Sequence, residues 1–398
     1  MSKSDFVVGP ETVRMLELGH PWILSDKYTR KWPQVPPGTL VQLADEAGKS
    51  LGSALVDPKD RVVARMLGGK VAKLDAAWFE GRLRAALLLR ERHAKLEGTS
   101  AYRLVNAEGD GLPGLTVDRY GDYLMVQFYS DIWKPHQKPL MAALARLLSP
   151  AGIYLKGRPQ DTRSLDAENK KYARLVFGQE APEPLRVQEN GLDFQVRLEE
   201  GLNTGLFLDQ RNNRRDLMER CRGMRVLNLF CYTGAFSVAA AAGGAKAVTS
   251  VDASQPYLDW AKENFAANRL NPKTHEFILG DCFAVLKDLK VRKRQFDLVL
   301  MDPPSFSTVG KSRFTTRGGT SELVAAALDL LPEGGLLITC SNHQKVDVAD
   351  YLKELRRGAL AAGSELRVLD LKGQPEDFPY PVSFPEGRYL KYVIAAKG

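Results

Sequence analysis

Arg225-Val-Leu-Asn-Leu-Phe230-Cys-Tyr-Thr-Gly234-Ala-Phe236 is an apolar run that breaks at a glycine turn and resumes with helical spacing. Ala247-Val-Thr-Ser-Val-Asp252 follows, a second apolar run ending on an acid. Reading onward, strands are expected at Arg225–Phe230, at Ala247–Val251, around Phe277, at Phe296–Met301 and at Leu336–Thr339. Helical stretches fall between and after them, over 235–242, 256–268, 283–289, 320–331 and 347–361. Strand alternating with helix, with strands apolar throughout, implies an α/β fold whose mostly parallel sheet is covered on both faces. Such sheets bind ligands beyond the carboxyl ends of their strands, so the strand-end residues carry the functional reading.

The first of these ends offers Phe230, Tyr232, Thr233 and Gly234. A glycine there serves either the close approach of a ligand or tight packing alone, and the full GxGxxG pattern is absent. Asp252, eighteen residues after Gly234, stands where an acid holds a ribose hydroxyl pair. Asp281-Cys282 follows the third strand, and Asp281 either accepts a bond from an adenine amine or caps the next helix. Ribose and adenine contacts without a pyrophosphate loop point to S-adenosylmethionine rather than a nicotinamide. In Asp302-Pro303-Pro304-Ser305-Phe306 the prolines hold the backbone extended and fix the Asp302 carboxylate at the strand tip. The fifth strand leads to Cys340-Ser-Asn-His343, which places Cys340 beside the same crevice as a candidate nucleophile. A lone cysteine in that setting is otherwise an inert small hydrophobe.

Working outward, the 398 residues allow two to three domains, and 44% hydrophobic with 26% charged residues is a globular composition. Residues 1–73 alternate short β-type runs with Pro and Gly turns. Residues 75–97 read as an amphipathic helix with Trp78, Leu83, Leu87 and Leu88 on one face and arginines on the others. The Pro-, Glu- and Gly-rich stretch 178–191 is the expected connector, giving domains 1–73, 74–190 and 191–398. The four cysteines form no CxxC pair, so neither a disulfide framework nor a metal site is expected. No run is long enough to span a membrane and the start lacks a signal-peptide core, so a cytoplasmic location is expected. The net charge of +8 favours a polyanionic partner. Arg211, Arg214, Arg215, the run 290–294, and Lys311, Arg313 and Arg317 are candidate phosphate contacts, each weighed against a plain solvated face.

Asp302-Pro-Pro-Ser-Phe, Thr339-Cys340-Ser-Asn-His343, and Thr204-Gly-Leu-Phe-Leu-Asp209-Gln210-Arg211-Asn-Asn-Arg214, in this order, resemble the RlmI-like cytosine-C5 methyltransferases of bacterial large-subunit ribosomal RNA. Arg14 with Gly19-His-Pro-Trp22 is similar to the start of that family's PUA module, and Asn106 to Gly114 with Val117-Asp-Arg119 to its central domain. The resemblance implies a small β-barrel PUA-like domain, a central α+β domain and a Rossmann-like class I methyltransferase domain. It also implies S-adenosylmethionine held by Asp209, Gln210 and Arg211 together with the strand-end residues, and ribosomal RNA as partner; a homodimer is left open. Two departures stand out: Gln188-Glu189-Asn190-Gly191 where relatives often carry Glu-Glu-His-Gly, and Phe378 where they carry histidine before proline.

C5 of cytosine is a poor nucleophile. A thiolate added at C6 makes it enamine-like, which gives Cys340 a role, with Asp302 holding the N3 and N4 edge. The ring must leave its stack to reach such a pocket. The competing readings are a methyltransferase of a guanine nitrogen, which needs no cysteine, one of a small molecule or protein, and a non-catalytic RNA-binding assembly factor.

Overall fold

A computed structural model describes residues 5–157, 171–201, 203–304 and 319–398, and the backbone of 306–309 and 312–315. Helix α1 (Pro10–Glu17) precedes strands β1 (Trp22–Leu24), β2 (Thr39–Ala44), β3 (Ser50–Val56) and β4 (Val62–Gly68). These four pair antiparallel in the order β1-β4-β3-β2, with Val7 bridging to Ala44 at the β2 edge. One face closes over Val8, Ile23, Leu43, Ala54 and Ala64. Leu55 and Leu67 instead join the core of the next domain.

That domain opens with α2 (Ala76–His93), capped by the Asp75 carboxylate accepting from the Trp78 amide at 3.0 Å. Its buried stripe is Phe79, Leu83, Ala86 and Arg90, whereas Leu88 is exposed and Trp78 and Leu87 are only half-buried. The expected face is therefore rotated, and an arginine lies on the buried side. Arg90 is tolerated there because the Asp110 carboxylate meets its guanidinium through both nitrogens, while Arg90 also donates to the Asp377 and Arg103 carbonyls. Strands β5 (Ala101–Asn106), β6 (Leu115–Tyr120), β7 (Tyr123–Phe128), β8 (Gly152–Lys156) and β9 (Ala173–Gly178) form the second sheet in sequence order. Helix α3 (Gln137–Leu148) makes the crossover between the parallel pair β7 and β8.

The stretch expected to be a connector is not one. It carries β10 (Leu185–Glu189), which turns through Asn190 and Gly191, both with positive φ, into β11 (Leu192–Val196). Leu185, Val187, Phe194 and Val196 enter a core shared by Tyr120 and Met125 of the second sheet and Val226 and Ile338 of the carboxyl-terminal sheet. A linker exposed to water has no such alternation.

Helix α4 (Arg211–Arg220) leads into the carboxyl-terminal sheet: β12 (Arg225–Leu229), α5 (Ala235–Ala242), β13 (Ala247–Asp252), α6 (Gln255–Ala267), β14 (Glu276–Leu279), α7 (Cys282–Val291) and β15 (Leu298–Met301). Then come the hairpin β16 (Phe306–Val309) and β17 (Ser312–Thr315), α8 (Gly319–Leu328), β18 (Leu336–Ser341), α9 (Val348–Ala361), β19 (Leu366–Lys372) and β20 (Lys391–Lys397). The order is β14-β13-β12-β15-β18-β20-β19; the first five strands run parallel and β20 inserts antiparallel. The chain moves outward from β12 to β14 and then restarts at β15 on the other side. The crevice between β12 and β15 is thus the switch point where such sheets bind ligands.

Candidate active site

A cavity of about 720 Å³ opens over the carboxyl ends of β12, β13 and β15. Its wall includes Asp209, Gln210, Phe230, Tyr232, Asp252, Asp281, Cys282 and Asp302, all marked in the sequence. Arg214, Phe207, Tyr257, Glu322 and Asn342, which the sequence did not mark as pocket residues, complete much of it. Arg211, Thr233, Gly234 and Cys340 are not on the wall.

The turn after β12 is unusual: Phe230 and Tyr232 both adopt left-handed φ, 57° and 53°. Non-glycine residues rarely do so, at a cost of about 1–2 kcal/mol each. The Tyr232 amide is thereby aimed at Asp252 Oδ2 at 2.9 Å, while the Ser254 amide reaches Asp252 Oδ1 at 3.0 Å. Two backbone donors orient this carboxylate, although burial still raises its pKa. The Tyr232 ring packs edge-on to Tyr257 and tilted against Phe207. Gly234 serves packing: a Cβ there would lie 2.6 Å from the Ala261 Cβ. Thr233 turns inward, its hydroxyl donating to the Gly205 carbonyl at 2.6 Å. Asp281 caps α7 through Oδ1, which accepts from the Phe283 and Ala284 amides, and also faces the cavity. The capping reading of that residue holds, and the cap leaves Asp281 on the cavity wall.

In the parallel ladder Met301 pairs with Thr339, so Asp302 and Cys340 are the next residues on two neighbouring strands. Asp302 Oδ2 accepts from Gln210 Nε2 at 3.1 Å, and Asn213 fixes that amide by donating to its oxygen at 2.6 Å. Burial, and after it the nearby Asp209 carboxylate, push Asp302 up to about 7. Asp209 accepts from the Tyr389 hydroxyl at 2.7 Å. Cys340 is wholly buried, and its thiol is pushed well above its ordinary value by burial and by the Asp302 carboxylate, against a bond from Gln210. Cys221, Cys231 and Cys282 are likewise buried and pushed up. Position beside Asp302, not acidity, sets Cys340 apart.

Among the described residues, the arginines considered for phosphate binding are engaged elsewhere. Arg211 is fully buried with its Nη2 2.8 Å from Asp377, and Arg214 grips Glu189 through two bonds of 2.6 Å. Arg215 donates to Asn190. Lys290, Arg292 and Arg294 pair with Asp329, Asp288 and Glu276. Lys311, Arg317 and the Arg313 side chain lie outside the described residues, as does Ser305. Among the described residues no cluster of metal-ligating side chains occurs, and no helix is long and apolar enough to cross a membrane.

Residues 112–384 match the family described as S-adenosylmethionine-dependent methyltransferase, and residues 6–68 match a PUA-like domain. Proteins named ribosomal RNA large subunit methyltransferase I from Yersinia pseudotuberculosis and Yersinia pestis are 34% identical over 379 residues, 94% of each chain. The solved structure of SMU.776, described as a methyltransferase and complexed with SAH, is 31% identical. It superposes with a TM-score of 0.87 over 98% of this chain and 99% of its own.

Proposed function

This chain belongs to the S-adenosylmethionine-dependent methyltransferase family, and within it we propose that the protein methylates C5 of a cytosine in bacterial large-subunit ribosomal RNA through a covalent bond from Cys340. The observation that carries this reading is the placement of Asp302 and Cys340 at paired positions on adjacent strand tips, bridged by Gln210. The relatives' names and the PUA-like domain support ribosomal RNA as the substrate, and the charge of +8 suits a polyanion.

S-adenosylmethionine is the cofactor, and the cavity's chemistry fits it. Asp252, held by two amides, suits a ribose diol, and the second oxygen of Asp281 suits an adenine amine. Bound there, the cofactor supplies an electrophilic methyl group on a positively charged sulfur. Phe230, Tyr232 and Cys282 would pack around its adenosine; Arg211, Thr233 and Gly234 act behind the wall by holding it in shape. Asp302 holds the N3 and N4 edge of the cytosine, and in its protonated form gives a proton to N3 as the Cys340 thiolate adds to C6. That interaction also selects cytosine over uracil.

The complete burial of Cys340 favours one second reading, methylation of a guanine nitrogen with Asp302 orienting the amine and no nucleophile. Mapping ribosomal RNA from cells carrying the wild-type gene, no gene, or the Cys340→Ala allele separates the two. The cytosine reading predicts one 5-methylcytosine present only with the wild type. A methylated guanine that follows the gene and persists in Cys340→Ala would establish the second reading.

A further inference from the structure

Covalent C5 methylation leaves one step without an actor: after methyl transfer, a base must take the C5 proton before the thiolate can leave. Asp209 faces the cavity that also holds Asp302, and its Oδ2 is tied to the Tyr389 hydroxyl at 2.7 Å, so Oδ1 is the oxygen that remains to accept a proton. Tyr389 itself is fixed by Lys391, whose ammonium donates to the carbonyls of Tyr389, His343 and Val346 at 2.8, 2.7 and 2.9 Å. One lysine thereby locks the Asp209 partner to the loop that follows Cys340 and carries Asn342.

We propose that Asp209 is the catalytic base of the elimination step, with Tyr389 its positioning residue. This rests on the cytosine C5 reading given above. The carboxylate oxygen takes the C5 proton, the C5–H electron pair forms the C5–C6 double bond, and the C6–S bond breaks with its pair returning to Cys340 as thiolate. The two carboxylates are suited to opposite tasks. Burial raises both, and the Asp209 carboxylate raises Asp302 further, whereas in Asp209 the Tyr389 bond and the charges of Arg103 and Arg214 work against the effect of burial. On this proposal one proton shared between the two carboxylates sits on Asp302 at the start of the turnover, which leaves Asp209 to act as the base.

The test uses the full chain, S-adenosylmethionine and ribosomal RNA carrying ordinary cytosine tritiated at C5. In Asp209→Asn, at saturating S-adenosylmethionine, tritium release should slow by about 10²–10⁴-fold more than single-turnover methyl transfer does. A denaturation-resistant complex of protein and methylated RNA should accumulate. Tyr389→Phe should show the same split in weaker form, slowing release more than transfer. Binding of SAH measured by calorimetry establishes that each variant is folded and sets the cofactor concentration that saturates it. If transfer and tritium release fall together with no complex, or if the main loss is of SAH affinity, Asp209 holds the cofactor and the proposal is wrong. The parent reading fails separately, by wild-type protein forming no adduct with 5-fluorocytosine RNA.

Discussion

Asp302 is the residue on which the site's protonation turns. Its pKa stands at about 7 against an ordinary 3.8, because burial and the Asp209 carboxylate both disfavour its charge. The folded state therefore binds this proton more tightly than the unfolded chain does. Its contribution to stability is complete below pH 4 and is lost as the pH rises through 7. Asp302→Asn, which cannot ionise, should exceed wild-type stability by no more than about 2 kcal/mol at pH 5, where the loss is only partial. At pH 9 it should exceed wild type by up to about 4 kcal/mol, the ceiling such a shift allows. Thermal unfolding of the ligand-free proteins at the two pH values checks this; an equal shift at both would mean that Asp302 is not held protonated. Asp302 was legible from the sequence because the two prolines leave its carboxylate only one place to stand. The burial of Cys340 was not, since a residue at a strand end is read as facing the crevice until the side chains around it are known. Tyr389 gave no local signal: it lies 180 residues from Asp209.

At the scale of elements, the hairpin of β10 and β11 shows how composition can hide pattern. Pro, Glu and Gly over 178–191 suggest a linker. Yet Leu185 and Val187 alternate inward, and Asn190-Gly191 is the turn dipeptide whose paired positive φ values suit a two-residue hairpin. The hairpin delivers Glu189, almost fully buried, to Arg214 on α4, and Arg214 in turn borders the cavity and donates to the Phe207 carbonyl. Removing one partner of such a pair leaves a buried charge uncompensated. Glu189→Ala should destabilise the protein by about 3–5 kcal/mol in chemical denaturation. A loss below about 1 kcal/mol would show that water or another group takes over the arginine. The parallel strands were legible because each is a short, mostly apolar run set between helical stretches. Strands β19 and β20 escaped notice: β19 lies at the sheet edge, with Val368 and Leu369 exposed, and β20 follows a long loop rather than a helix.

Across the whole molecule the three sheets do not act as separable modules. Leu55 and Leu67 of the amino-terminal sheet share a core with Phe79, Leu83 and Trp133, and Arg65 reaches Ser130 while Trp22 donates to Glu108. The loop between β19 and β20 closes the assembly: the Phe378 ring lies 4.5 Å from the Arg103 guanidinium, and Phe384 packs on Trp22. The PUA-like sheet is thus held at a fixed attitude to the cavity, which suits the proposed task of gripping folded RNA and presenting a single base to the Cys340 thiol. That covalent encounter is the central claim, and one measurement addresses it directly. Full-length protein is incubated with S-adenosylmethionine and large-subunit RNA containing 5-fluorocytosine, then digested and analysed by mass spectrometry. Because fluorine cannot leave as a cation, the account predicts a stable nucleotide adduct on the peptide containing Cys340, absent in Cys340→Ala. An adduct on another cysteine, or methylated RNA with no protein attached, would contradict it.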